Sequence, residues 1–401
     1  MKKVGILGGG QLGAMLAESV AALGGEPVIY DPDREAPAVK RARTSFNAPF
    51  DDQASVRRFF EAVDVVTYEF ENVEVGPLAA AAGLKPILPS IDVLAITQNR
   101  IKEKTFLRDN DLPHARFIAA ESAGDLRGKL DQCFYPSVLK TARGGYDGKG
   151  QYLCSNRAEL ELNLTELEGE GRDSIALELE EFIEIAMEAS CIVARPAEGK
   201  PVSFPIFENI HEDHILDLTL VPARLPASVQ ETLADLAIRA AEHLDVRGLL
   251  TTEFFLSRTG ESSVVCDDWR IYINEFAPRP HNSGHVTRNA CHMSQFDAHA
   301  RIIMDVPLGD PGLVNDRSWC MANLLGDTWL DQGAEPDNPV LDLSALSDHP
   351  EIVDVYIYGK QEARRKRKMG HLVSTGATPE EALAGASRFK EILSQTVRTY
   401  S

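Results

Sequence analysis

The sequence predicts a mixed architecture: an α/β amino-terminal domain with an open parallel sheet, an α+β central region closed by a glycine-loop lid, and a small carboxyl-terminal domain. Three observations predict it. Strand-like and helical patterns alternate from Lys3 to Leu88, as a parallel sheet requires. A glycine-rich loop separates two apolar strands between Lys140 and Gln151. Two further apolar strands each carry a glutamate, Glu253 and Glu275, where a buried charge needs compensation. With 401 residues the chain has room for two to four domains, divided here as 1–97, 98–305 with a lid at about 110–185, and 306–401.

Composition narrows the function class. A hydrophobic fraction of 44% and a charged fraction of 25% suit a globular chain. No apolar run approaches the ~18 residues of a bilayer span, and Met1-Lys2-Lys3 leads straight into a strand with no signal-peptide pattern, so a cytoplasmic setting is expected. The six cysteines are scattered without a C-x-x-C pair, which reads as reduced thiols. A formal charge of −20 argues against nucleic acid and acidic membranes as partners. An anionic ligand must then meet a local basic cluster.

The elements follow in order. VGILGGGQLGAMLAESVAALGGEPVIYDP reads as strand, glycine turn, helix and strand, with Leu12, Met15, Leu16 and Leu23 at helical spacing and Ser19 as a weak member. Gly8, Gly10 and Gly13 with Asp31 match a dinucleotide fingerprint. The same glycines serve equally for close packing, or for presenting backbone donors to an anion. A helix at Gln53–Ala62, a strand at 63–68, a helix at 75–82 and a short strand at 86–88 continue the alternation. Glu69 and Glu71 flank Phe70 at the carboxyl end of a strand, where open α/β sheets bind ligands, although either could be a solvated loop charge. ITQNRIKEKTFLRDNDLP reads as one helix with Arg100 and Lys104 on a common face, which could meet a phosphate although solvent is the default partner.

The segment FYPSVLKTARGGYDGKGQYLC carries the strongest local signal, a hairpin with Lys140 at a strand end and glycines at 144, 145, 148 and 150. It lacks the G-K-[S/T] of a Walker loop, so backbone amides would cover phosphates from a hairpin. Glu180 to Ile183 end a later strand, where backbone groups can meet a base edge, and Glu188 follows within reach of a ribose. A hairpin containing His211 and an amphipathic helix with Val229, Leu233, Leu236, Ala237, Ala240 and Leu244 precede the strand of Glu253. Asn274 and Glu275 close an apolar run, and oxygen donors of that kind suit magnesium held by one or two carboxylates. The basic run GKQEARRKRKMGHL is either a solvated surface or an anion pocket, and Thr378, Pro379 and Glu381 cap a last helix.

GGGQLG, YEFENV, RGGYDGKGQ, NEFAPRPHNSGH and YGKQEARRKRKMGH, in that order, resemble the ATP-grasp superfamily and within it the 5-(carboxyamino)imidazole ribonucleotide synthases of purine biosynthesis. The resemblance spans nearly the whole chain. It implies a carbon–nitrogen ligase, commonly a homodimer, that uses ATP, magnesium and bicarbonate to carboxylate 5-aminoimidazole ribonucleotide through carboxyphosphate. Residue by residue it implies that Arg100, Lys140 and the loop Gly145, Tyr146, Asp147, Gly148, Lys149, Gly150 and Gln151 contact ATP. Glu180, Glu181, Phe182 and Ile183 would line the adenine pocket, with Glu188, His211, Asn274 and Glu275 completing the nucleotide site and Glu253 with Glu275 holding magnesium. Gly10, Gln11, Leu12, Glu71, Asn282, Ser283, Lys360, Arg364 and Arg367 would bind the ribonucleotide, and Lys140, Tyr146, Asp147, Arg279 and His281 would serve catalysis. Ala14 stands where relatives commonly carry arginine, and Arg365-Lys366 replaces a common Pro-Gly. A formate-using ligase, a nicotinamide oxidoreductase and a non-catalytic nucleotide binder remain as alternatives.

Overall fold

The computed structural model describes residues 1–73, 75–144, 150–172, 174–331, 335–337 and 340–395. Among them the strands form three sheets. The first is parallel, in the order β3 (Thr44–Phe46), β2 (Glu26–Tyr30), β1 (Lys3–Leu7), β4 (Val65–Tyr68). The chain leaves β1 toward β2 on one side and later returns as β4 on the other. The crevice beside β1 and β4 is therefore the switch point at which such sheets take ligands. The helix Gln11–Ala22 buries Leu12, Met15, Leu16 and Ser19 of the expected stripe, and Val20 beside them, while Leu23 is the half-buried residue that closes the helix. The helix Gln53–Ala62 starts where Asp52 accepts from the N–H groups of Ala54 and Ser55.

Two local expectations differ from the structure. The strand expected at 86–88 is a single bridge between Ile87 and Val66, because Pro89 and the helix cap Ser90 follow at once. The helix expected through ITQNRIKEKTFLRDNDLP is two helices, Ile91–Thr97 and Arg100–Asp109. Asn99 breaks it by taking an extended backbone and accepting from the N–H of Lys102, which starts the second helix afresh.

The second sheet is antiparallel, in the order β5 (Phe117–Ala120), β8 (Leu177–Glu181), β6 (Ser137–Thr141), β7 (Gln151–Cys154). Leu160, Leu164 and Leu167 of the helix Arg157–Gly169 pack into its core with Leu139, Leu177 and Leu179. The glycine loop joins β6 to β7, as expected of a hairpin.

The third sheet has ten strands. In spatial order it runs β14 (Val264–Cys266), β15 (Trp269–Ala277), β13 (Gly248–Ser257), β9 (Met187–Arg195), β11 (Phe207–Glu212), β12 (Ile215–Val221), β16 (Ser318–Leu325), β18 (Lys368–Gly376), β17 (Ile352–Ile357). The short β10 (Val202–Ser203) pairs with β9. The carboxyl-terminal strands thus extend the central sheet, and the helix Pro379–Gln395 packs on them through Ala382, Ala386 and Phe389. The helix Ala227–His243 packs against β13 and β9 with the six expected apolar residues in one core. β13 lies between β9 and β15, so Glu253 sits on an interior strand, whereas Glu275 lies on β15 beyond its last pairing with β14 at Ile271 and is exposed.

Candidate active site

A cleft of about 1190 Å³ opens between the three sheets. Its floor is the β13–β15 pair, on which Glu253 and Glu275 are direct cross-strand partners. The register then shifts, Phe254 pairing with Ile273, so Asn274 is an extra residue. Successive strand side chains normally point to opposite faces. The bulge lets Asn274 and Glu275, though consecutive, both line the cleft.

The two carboxylates have unlike surroundings. Burial opposes ionisation of Glu253, but His281 and His211, with Arg279, outweigh it and hold its carboxyl low. His281 Nε2 stands 2.8 Å from Glu253 Oε1, and its Nδ1 lies 2.9 Å from Ser283 Oγ. Glu275 is pushed up, first by burial and then by the facing charge of Glu253. Two oxygen donors set side by side with one ionised at the other's expense form a seat that a divalent cation fits, since its charge would relieve the repulsion.

The roof is the hairpin sheet. Lys140 pairs with Glu180, which also meets Lys104 at 3.0 Å. Those two lysines overcome burial and keep the Glu180 carboxyl low, whereas Glu178, buried beside Glu180, is pushed up. Arg100 Nη1 donates to the Thr141 carbonyl at 3.0 Å and lines the cleft, as do Gln151, Glu181, Phe182, Ile183 and Glu188. His211 Nδ1 stands 3.1 Å from a Glu188 oxygen. Gly150 has φ +69°, and a Cβ there would fall 2.7 Å from Thr141 Oγ1, so glycine is required where the loop rejoins β7. Gly145, Tyr146, Asp147, Gly148 and Lys149 lie outside the described residues.

The remaining wall comes from the first sheet and from the segment after β15. Gln11 and Leu12 line it, and Arg279 pairs with Glu71. Asn282 is 9% exposed and lines the cleft with both side-chain amide atoms lacking a partner among the described residues. Ser283 lies behind it, hydrogen-bonded to Ser190 at 2.9 Å. Lys360 donates to the Lys368 carbonyl at 2.7 Å, and its ammonium is pushed down to about 8 by burial and by Arg367. Arg367 donates to the Glu362 carbonyl at 2.9 Å. Arg364, expected beside them, turns outward to Glu362 with 66% of its side chain exposed.

The glycine turn does not offer its donors to a ligand. The N–H groups of Gly10 and Gly13 each donate to the Glu69 carboxylate at 2.6 Å, and that of Gly9 to Asp31 at 2.6 Å. A Cβ on Gly10 would stand 2.5 Å from Glu69 Oε1. The seat that a dinucleotide pyrophosphate would need is filled by the protein's own carboxylates, which removes the nicotinamide reading. Ala14 is buried with Phe296 and Tyr358 in an apolar core and does not line the cleft.

Three family models match the chain: a ribonucleotide synthetase preATP-grasp domain over residues 1–98, an ATP-grasp domain over 105–296 and a phosphoribosylaminoimidazole carboxylase C-terminal domain over 320–385. The N5-carboxyaminoimidazole ribonucleotide synthase of Bacillus subtilis is 36% identical over 372 residues, covering 92% of this chain and 90% of that protein. The chain belongs to the N5-carboxyaminoimidazole ribonucleotide synthase family. Among solved members, the Aspergillus clavatus synthase in complex with ADP and 5-aminoimidazole ribonucleotide has a TM-score of 0.84 at 29% identity, covering 98% of each chain. The same fungal synthase complexed with ATP has a TM-score of 0.83 at 30% identity, covering 99% of each.

In this member of the synthase family, Glu103 and Lys368 line the cleft without a signal in the sequence, and Lys104 lies deeper than expected. Glu103 and Lys104, each 2% exposed, reach the floor from the helix Arg100–Asp109, and Lys368 lines the wall. Lys104 was expected in solvent because its spacing from Arg100 suits a surface face. A buried lysine carries no local signature, since partners distant in sequence, Glu180 first among them, make its burial tolerable.

Proposed function

We propose that the protein uses ATP to carboxylate 5-aminoimidazole ribonucleotide with bicarbonate, releasing ADP and phosphate by way of carboxyphosphate, as a step of purine biosynthesis. The observation that carries this reading is the facing pair Glu253 and Glu275 beneath Lys140, in one cleft with Gln11, Arg279 and Asn282. The name of the Bacillus subtilis relative and the ligands of the Aspergillus clavatus structure support it. The same reading carries a cytoplasmic homodimer on the resemblance alone. Its working division is residues 1–97, 98–305 and 306–401, with the lid near 110–185.

In this mechanism Arg100, Lys140, Gln151 and the glycine loop hold the ATP phosphates. Glu180 to Ile183 receive the adenine, Glu188 the ribose, and His211 and Asn274 close the nucleotide site. Glu253 and Glu275 would hold magnesium, which when bound supplies neutralising charge to the transferring phosphoryl group. Arg279, oriented by Glu71, keeps guanidinium donors for the bicarbonate-derived anion. His281 donates through Nε2 to Glu253 and so fixes that carboxylate while its ring faces the cleft. Gln11, Leu12, Glu71 and Asn282 surround the acceptor, with Ser283 supporting the wall from behind Asn282, and Lys360 with Arg367 meets its phosphate. Gly10 supports this wall through Glu69 instead of by its own N–H. Closure of the hairpin over the cleft excludes water from carboxyphosphate, which hydrolyses easily.

The test is phosphate release from ATP with magnesium and bicarbonate, with and without the ribonucleotide. Strong dependence on the ribonucleotide with a carboxylated product is expected; turnover indifferent to it would discard the acceptor. Glu275→Gln should abolish turnover while leaving the circular dichroism spectrum intact, and near-normal turnover in that variant would sink the metal assignment.

A further inference from the structure

The strand that carries Asn274 and Glu275 has an unprotected flank. β14 pairs with β15 only as far as Ile271, so beyond that residue the outer side of β15 has no strand among the described residues, and the bulge at Asn274 disturbs the inner ladder as well. Backbone groups buried without partners are costly, so their destinations must be accounted for. Four of these bonds lead to one short stretch of chain, Glu103 to Pro113. Ile273 N–H donates to the Pro113 carbonyl at 2.8 Å. Lys104 Nζ donates to the carbonyls of Ile273 at 3.3 Å and Asn274 at 2.9 Å. Glu103 Oε1 accepts from the N–H of Phe276 at 2.7 Å.

Consecutive helix residues diverge by about 100° around the axis, so Glu103 and Lys104 can straddle one strand. The lysine satisfies carbonyls and the glutamate satisfies an amide, each matching the polarity of what it meets. Lys104 also holds Glu180 at the end of β8, and Glu180 in turn holds Lys140. One ammonium therefore ties the hairpin sheet to the floor strand.

We propose that Glu103 and Lys104 are positioning residues that set the bulge of β15, so that Asn274 and Glu275 stand side by side on the cleft floor, and that Lys104 couples this placement to the strand beneath the lid. The proposal rests on the assignment of Glu253 and Glu275 as cation ligands. Glu103→Leu removes the acceptor at similar volume, whereas Glu103→Gln keeps an oxygen for Phe276; Lys104→Met removes the donor.

Two quantities decide the matter in the full-length protein with ADP present. They are Mn²⁺ affinity by electron paramagnetic resonance and amide hydrogen exchange across 269–277. Glu103→Leu and Lys104→Met should weaken Mn²⁺ binding by about tenfold or more, the scale of lost support behind metal ligands, and speed exchange in that segment, with Glu103→Gln staying within about threefold of the parent. Folded Glu103→Leu protein with parental Mn²⁺ affinity and parental exchange overturns the proposal. Where Lys104→Met does not fold, the contrast between Glu103→Leu and Glu103→Gln decides. Should Glu275→Gln bind Mn²⁺ as the parent does, the cation assignment fails separately. Exchange alone then judges the clamp: faster exchange in Glu103→Leu upholds it, unchanged exchange overturns it.

Discussion

A single carboxylate decides what the amino-terminal glycine turn is for. Glu69 is 7% exposed and accepts two backbone N–H groups, while burial pushes its carboxyl up. An anion seat and a tight turn were equally open readings of Gly8, Gly10 and Gly13, because a glycine pattern describes space without naming its occupant. The occupant is the residue that follows β4, 59 positions away from Gly10. Glu69→Ala leaves two buried donors unmet and should cost about 2–5 kcal/mol in urea unfolding. Glu69→Gln keeps an acceptor oxygen and should fall between that variant and the parent. Equal stability of all three proteins would show that solvent, not Glu69, satisfies the turn.

Elements whose signals are local were legible. Asp52 starts the helix Gln53–Ala62 on the expected residue, and Thr378 Oγ1 caps the last helix by accepting the Glu381 N–H at 3.2 Å, while the Glu381 carboxylate accepts the Ala377 N–H at 2.8 Å. The hairpin around the glycine loop follows from alternating apolar residues and turn glycines. Legibility ended where a partner lies far along the chain: Lys104 needs Glu180, and the flank of β15 needs Glu103. The loop after Lys360 shows both sides of this limit. Lys366 has φ +63°, a left-handed conformation suited to glycine, the residue that the family resemblance puts at this position. Here the strained turn is held by other means. Asp327 accepts the Lys366 N–H at 2.7 Å and pairs with Arg365 at 3.0 Å, and Lys366 Nζ reaches Asp213 at 3.0 Å. Lys366→Gly relieves roughly 1 kcal/mol of backbone strain and gives up an exposed pair of at most about 1 kcal/mol. Its urea midpoint should therefore equal or slightly exceed that of the parent, and a clear drop would mean that the Asp213 contact outweighs the strain.

At the scale of the whole molecule, buried ionisable groups join the three sheets and make their union depend on pH. His299, on the helix Gln295–Ile303, has Nε2 2.9 Å from Thr67 Oγ1 of β4, and burial pushes the ring down to about 3. The unfolded chain takes up a proton near pH 6.5 that the folded chain refuses. His299 therefore contributes stability that is present above pH 6.5 and is lost as pH falls from there toward 3. Glu178 and Glu275, raised by burial, act in the opposite sense, since the folded chain retains their protons where the unfolded chain has released them. A pH curve of the parent alone mixes these opposing contributions, but the difference between the parent and His299→Gln isolates one of them. Glutamine keeps a hydrogen bond to Thr67 and cannot titrate. The parent should lose about 1.4 kcal/mol relative to His299→Gln between pH 7.5 and 5.5, measured by urea unfolding at both values. A difference that does not change with pH would mean that the imidazole takes its proton without unfolding, and that the junction between the first sheet and the rest admits water.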